Sequence, residues 1–264
     1  MPTLNSPEVA LWYEDDGAGP PLFLIAGMAS DSASWMPLLP LLTGDARVIR
    51  PDNRTTGRTV PVDAPTDLTR NAADCVALMD HLGIGSAHVL GHSMGGLIAM
   101  ELAAAYPGRV RSLTLAASAP MRSSRNIALF DALISIRRSN APSDTWLRAF
   151  FPWLFSHATY DTPQAVDVAL AGALVYPHAQ SVDAMERQLR ALDTYDPSTV
   201  ALDVPTQALL AGRDLLIPQD MATKALSSVG VTDITLIPNA GHSIHWDAPA
   251  AVAAALLGFV QETA

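Results

Sequence analysis

Short apolar runs alternate with longer stretches of helical period, and this alternation limits the chain to a small set of folds. In the first half, Val9 to Tyr13, Leu22 to Ala26, Ala46 to Arg50, Ala87 to Leu90 and Val110 to Ala116 read as strands. Between them, apolar positions over Leu68 to Leu82 and Leu97 to Tyr106 recur on one face of a helix. The second half repeats the rhythm, with strands expected at Thr206 to Ala211 and Asp233 to Ile237 and a helix over Gln219 to Val229. A last Ala-rich helix is expected over Ala250 to Phe259, with Pro249 suited to its first turn. Little apolar/polar alternation within the strands marks burial on both faces. The predicted architecture is therefore α/β, a mostly parallel sheet covered by helices. Asp15-Asp16-Gly17-Ala18-Gly19-Pro20-Pro21 reads as the turn between the first two strands.

Residues 121–200 break the rhythm. Trp146, Phe150, Phe151, Trp153, Leu154 and Phe155 precede an Ala/Val segment and an amphipathic run from Val182 to Leu192. The stretch is too apolar and too periodic for a linker, so it reads as a helical insertion packed over one end of the sheet. Residues 1–120 and 201–264 then form the core, and 121–200 the cap. Ordinary peripheral helices of the core are the alternative.

Of 264 residues, 49% are hydrophobic and 16% charged, enough to build a sizeable core. Sixteen basic against 26 acidic residues give a net charge of -10. The only adjacent basic pair singled out, Arg137-Arg138, reads as a solvated helix end. Nucleic acid and anionic membranes are thus poor partners. Cys75, the single cysteine, permits no intramolecular disulfide and reads as a packing residue on a helix. No apolar stretch reaches bilayer length, and the first residues lack a basic-then-apolar leader pattern. A cytoplasmic location is the expectation.

The sharpest motif is Gly91-His92-Ser93-Met94-Gly95, followed by Gly96, between the strand ending at Leu90 and the helix starting near Leu97. Such a strand–turn–helix context suits a strained turn that presents a nucleophilic serine. The glycines let strand and helix approach where side chains would collide. Out of context the pattern is weak.

A serine hydroxyl needs a base to take its proton, and the base needs a carboxylate to hold its tautomer. Asn239-Ala240-Gly241-His242-Ser243 follows a strand and precedes the last helix, making His242 the preferred base. His245 is the rival, read as supporting the loop or contacting solvent. His81, His88, His157 and His178 are weaker candidates, and His92 is read as packing or pocket lining. Asp214, in Gly212-Arg213-Asp214-Leu215, lies just beyond a strand end, where open α/β sheets collect functional groups. Asp220 and Asp247 read as solvated helix-start residues. Charge developing on a carbonyl oxygen calls for backbone N–H donors. Met94 and Met28, the latter in Ala26-Gly27-Met28-Ala29-Ser30, are the expected pair, with side chains that either line a pocket or fill the core.

With these motifs in order, the sequence resembles the α/β-hydrolase superfamily over nearly its full length. It is most similar to the small capped esterases, enol-lactone hydrolases and anthracycline methyl esterases. The resemblance rests on Gly91-His92-Ser93-Met94-Gly95-Gly96, Gly212-Arg213-Asp214 with Pro218, and Gly241-His242. Pro51-Asp52-Asn53-Arg54-Thr55-Thr56-Gly57-Arg58-Thr59 looks like the family's loop beside the oxyanion region, with Arg58-Thr59 replacing its usual serine; Asp52 and Arg54 need not be catalytic. Ala26-Gly27-Met28 departs from the family's His-Gly, which leaves backbone donation from Met28 possible.

The resemblance implies the α/β-hydrolase fold with a helical cap inserted after the sixth strand. It also implies substrate contact or packing from Trp153 and Phe155 in the cap and from Trp35 near the first helix, with His92 at the substrate site. The expected activity is hydrolysis of a small or medium-sized carboxylic ester or lactone through an acyl-enzyme, with water as co-substrate and no cofactor or metal. Amide hydrolysis, perhydrolysis, a lyase or epimerase reaction on the same fold, and ligand binding without catalysis remain as alternatives. A carboxylate-nucleophile dehalogenase is disfavoured by the serine, and a nicotinamide enzyme by the lack of Gly-x-Gly-x-x-Gly.

Overall fold

A computed structural model describes residues 2–197 and 200–264. Met1, in the expected leader-free start, and Ser198 and Thr199, near the end of the expected cap, lie outside the described residues. Eight strands, β1 (Thr3–Asn5), β2 (Ala10–Gly17), β3 (Pro21–Ile25), β4 (Arg47–Pro51), β5 (Ala87–His92), β6 (Val110–Ala116), β7 (Thr206–Ala211) and β8 (Asp233–Ile237), form one sheet. Their spatial order is β1-β2-β4-β3-β5-β6-β7-β8. Among the described strands, the β1–β2 and β2–β4 pairings are antiparallel and the sheet is parallel from β4 to β8.

Helices α1 (Leu39–Leu42), α2 (Leu68–His81) and α3 (Met94–Ala105) connect the early strands. Four more, α4 (Ser124–Arg138), α5 (Thr145–Leu154), α6 (Pro163–Val175) and α7 (Val182–Thr194), lie between β6 and β7. The chain closes with α8 (Gln219–Ser228), α9 (Ile244–Asp247) and α10 (Pro249–Glu262). Among the described residues no helix is long and apolar enough to cross a membrane.

Side chains of a strand alternate between faces, and here each face has its own core. Phe23, Ile25, Val89, Leu113, Leu115, Ala208 and Leu210 pack with α2, α3, α4 and α8. Leu22, Leu24, Leu90, Ala116, Leu209 and Ala211 pack with α1 and α10 on the other side. Burial on both faces explains the unalternating apolar runs that mark these strands in the sequence. Cys75 is free and buried in the first of these cores, as a packing residue, and burial pushes its thiol pKa up.

Besides shifts of one to three residues at the ends of several elements, three features differ from the sequence reading. The acidic turn expected at residues 15–21 starts later, because Asp15, Asp16 and Gly17 extend β2 opposite Ile49, Val48 and Arg47. Asp15 accepts two hydrogen bonds from Arg47 at 2.9 and 2.7 Å, and Asp16 pairs with Arg50 at 2.5 Å. The antiparallel ladder with β4, joined by these ion pairs, holds Asp15 and Asp16 in the strand. Thr3–Asn5 carries no apolar run, yet pairs with Ala10–Trp12 as β1. Helix α3 begins at Met94 rather than near Leu97, so Gly95 and Gly96 are helical.

Candidate active site

The C-terminal ends of β3, β5, β7 and β8 open toward one side of the sheet, and each loop leaving them carries a residue singled out from the sequence. Ser93 follows β5 directly, at φ 53° and ψ -122°, a left-handed backbone that costs energy in any non-glycine residue. Neighbouring structure holds it there. Its N–H donates to Ala116 O at 3.1 Å, and the Ser118 hydroxyl donates to its carbonyl at 2.7 Å. A Cβ at Gly91 would collide with the Gly95 backbone, and one at Gly95 with the carbonyls of Ile25 and Ala26. Both glycines are thus required for the close approach of β3, β5 and α3 that presents Ser93.

Asp214, three residues past β7, is buried. One carboxylate oxygen accepts the N–H groups of Leu216 and Ile217, each at 2.8 Å, and the other meets His242 Nδ1 at 2.8 Å. Since a carboxylate accepts, Nδ1 carries the proton, and in the neutral ring Nε2 is left with a free lone pair. His242 and Ser93 line the same cavity of about 590 Å³. The Ser93 hydroxyl and the His242 ring are not hydrogen-bonded to each other among the described residues, a looseness common before a ligand is bound.

The loop carrying His242 is stitched to the helical insertion. Gly241 N–H and Ser156 N–H both donate to Asp247 Oδ2, at 2.7 and 2.8 Å, and Ser243 N–H donates to Leu154 O at 2.7 Å. Asp247 therefore joins two loops instead of standing solvated at a helix start. Asp220, in the first turn of α8, is exposed as expected.

His92 is buried, and its Nε2–H donates to His242 O at 2.8 Å. His245 is buried against Trp35 and His92, with ring centroids 4.7 and 4.6 Å away. Burial, reinforced by neighbouring histidines, drives the His92 pKa well below the ordinary value and that of His245 down to about 3. Both rings are neutral supports under the His242 loop.

At the end of β3, a Cβ on Gly27 would stand 3.1 Å from Ser93 Cβ, so the loop Gly27-Met28-Ala29 lies directly against the serine. Met28 N–H donates to no group among the described residues. Met94 N–H, first in α3, precedes the helical hydrogen-bond ladder. The loop is held by Asn53 Nδ2, which donates to Ala26 O at 2.8 Å, and by Gln188 Oε1 on α7, which accepts from Ala29 N at 3.2 Å. Asp52 accepts from Ser32 N and Arg58 N, while Arg54 pairs with Asp74 and Glu8. Asp52 thus ties the segment after the loop to residues 52–58, while Arg54 anchors that stretch to α2 and to Glu8. A second cavity of about 300 Å³ meets Ser93 from the side of Met28, Met94 and Leu97.

Phe155 lines the larger cavity, but Trp153 does not; Trp153 packs on the core with the Arg125 guanidinium 5.5 Å over its ring. Asp31, Phe130, Arg137 and Tyr176 were not picked out as site residues from the sequence, and all line the larger cavity. Tyr176 donates to Asp31 Oδ2 at 2.7 Å, tying the segment after α6 to the loop after β3. The signal for Arg137 was its basic pair, misread because its neighbour Arg138 does bond exposed carboxylates, at Asp183 and Glu186.

A parallel sheet whose strand ends converge on one serine-bearing turn, covered by helices inserted after the sixth strand, defines a hydrolase architecture. The chain belongs to the alpha/beta hydrolase family, whose model matches residues 22–255. It is 29% identical over 271 residues to the protein described as "Putative carbamate hydrolase RutD" of Azorhizobium caulinodans, with 99% of each chain covered. Among solved structures it is similar to a hydrolase from Pseudomonas aeruginosa PA01, with a TM-score of 0.84, 25% identity, and 98% and 97% of the two chains covered. The enol-lactonase from Burkholderia xenovorans LB400 shares the fold at a TM-score of 0.85 and 22% identity, over 98% of this chain and 100% of its own.

Proposed function

We propose that this hydrolase cleaves a carboxylic ester or lactone through an acyl-enzyme on Ser93. The observation that carries the reading is the buried Asp214–His242 hydrogen bond opening onto the cavity that Ser93 shares. His242 Nε2 takes the serine proton as the hydroxyl attacks the carbonyl and then gives it to the leaving alkoxide. Asp214 holds the reactive tautomer and stabilises the imidazolium. The Met28 and Met94 N–H groups receive the oxyanion; such a donor is worth about 3 kcal/mol of barrier in comparable sites. Water then enters, loses a proton to His242 and releases the acid. Residues 121–200 act as the cap, shielding the reacting carbon from bulk water.

A carbamate or amide is the second reading, favoured by the protein described as a carbamate hydrolase. Matched p-nitrophenyl esters, lactones, p-nitroanilides and aryl carbamates separate the two. The ester reading expects kcat/KM for esters or lactones to exceed that for the C–N substrates by at least about a hundredfold, more than 2.7 kcal/mol of barrier. Faster turnover of carbamates or anilides would replace it.

Gln188 offers a test of the oxyanion loop. Its Oε1 anchors Ala29 N–H, while its Nε2 is buried without a partner. Gln188→Leu removes both the anchor and the orphaned donor, so stability should stay within about 1 kcal/mol. The loosened Met28–Ala29 peptide should lower kcat about tenfold, about 1.4 kcal/mol of barrier. Steady-state kinetics beside urea unfolding check both numbers; unchanged kcat would remove the loop from the oxyanion site.

A further inference from the structure

Arg137 stands out among the cavity residues because its charge is not neutralised. Its guanidinium donates to Gln180 O at 2.7 Å, contacts Met185 Sδ at 3.4 Å, and lies 4.5 Å over the Trp146 ring. None of these partners is an anion, and among the described residues no carboxylate pairs with it. Burial alone lowers its pKa from the ordinary guanidinium value, yet a guanidinium keeps its charge. A half-buried cation facing a cavity without a counter-ion is a ready partner for an anionic ligand group.

The acidic groups around the same cavity are already engaged. Asp31 accepts from Tyr176 Oη and Ala33 N, and burial raises its pKa. Asp247 accepts from two backbone N–H groups. Neither pairs with Arg137.

The two cavities at Ser93 also differ in which machinery they hold. His242 lines the larger and not the smaller, whereas Met94 lines the smaller and not the larger. A leaving group must lie within reach of the imidazole that protonates it. The larger cavity then takes the alcohol portion and the smaller one the acyl portion.

We propose that Arg137 binds a carboxylate carried by the leaving-group portion of the substrate, so that the preferred esters are those of hydroxy acids with an apolar or aromatic body. The assignment to the leaving group rests on the acyl-enzyme reading above; the carboxylate site itself does not. Trp146, Phe150 and Phe155 supply the apolar walls, and the planar guanidinium supplies paired donors that match a carboxylate.

The test compares (4-acetoxyphenyl)acetate with 4-methylphenyl acetate, which share the acyl group and differ mainly in the remote carboxylate. Wild type should favour the charged ester in kcat/KM by about tenfold or more, the range of a charge-assisted hydrogen bond. Arg137→Gln should bring that ratio to near unity, and Arg137→Lys should restore part of it. A merely structural role for Arg137 would lower both esters together and leave the ratio unmoved. A wild-type ratio at or below unity, or one insensitive to Arg137→Gln, overturns the proposal. Calorimetric binding of 4-hydroxyphenylacetate and 4-methylphenol to Ser93→Ala separates the two claims. Tighter, Arg137-dependent binding of the acid upholds the carboxylate site even if neither ester is cleaved, and equal binding removes it whatever the turnover.

Discussion

Replacing Ser93 by alanine is expected to lower kcat on any cleaved ester by about a thousandfold or more and to leave the fold intact. The stability half of the expectation follows from position. Ser93 holds its place through its backbone N–H and carbonyl, bonded to Ala116 and Ser118, and its side chain faces the cavity. Alanine bears the same left-handed backbone strain, so nothing in the packing changes except the loss of one exposed oxygen. The activity half follows from chemistry, because the oxyanion donors and binding walls remain but no group is left to accept the acyl fragment. Residual turnover would be that of a water attacking in place of the serine. Kinetics with an unfolding curve on the same preparation read both halves, and turnover within tenfold of wild type would contradict the assignment.

Asp214→Asn should also be severe, costing about 10⁴ in kcat by analogy with serine triads of this geometry. One Asp214 oxygen is committed to the N–H groups of Leu216 and Ile217. An asparagine placed there must keep its carbonyl oxygen on those two donors, which turns its NH₂ toward His242 Nδ1. The ring is then forced into the tautomer with the proton on Nε2, the atom that must accept the proton of Ser93. The lesion is therefore electronic, and the protein should fold with unchanged backbone. A drop of less than tenfold would show that His242 does not depend on Asp214 for its tautomer.

The central parallel strands were legible because burial on both faces leaves apolar runs that few other settings produce; β6 and β7 coincide with the ranges read from sequence, and so does the edge strand β8, whose residues are mostly exposed. The strand extension through Asp15 and Asp16 was not, because it depends on Arg47 and Arg50, residues distant in sequence that neutralise the two carboxylates. Ser93, Asp214 and His242 could be named from motif and chain order; that Ser93 and His242 line one cavity, with Asp214 bonded to His242 Nδ1, is a property of the fold. Asp247 and Gln188 could not be read so. Each acts through a backbone N–H on a distant loop, and such a contact leaves no pattern in the local sequence. The resemblance to capped esterases points to Trp153, but on α5 it packs on the core, while Phe150, Phe151 and Phe155 line the cavity. Arg137 and Arg138 show the same limit, since adjacent residues on a helix point in different directions, one to the cavity and one to solvent-side carboxylates.

Covalent labelling with a serine-reactive aryl phosphonate, followed by peptide mapping, tests the central claim most directly. The account predicts one adduct per chain, on Ser93, with hydrolytic activity lost in step with labelling. Full ester turnover by protein in which Ser93 stays unmodified, or inactivation through an adduct at another residue, would contradict it.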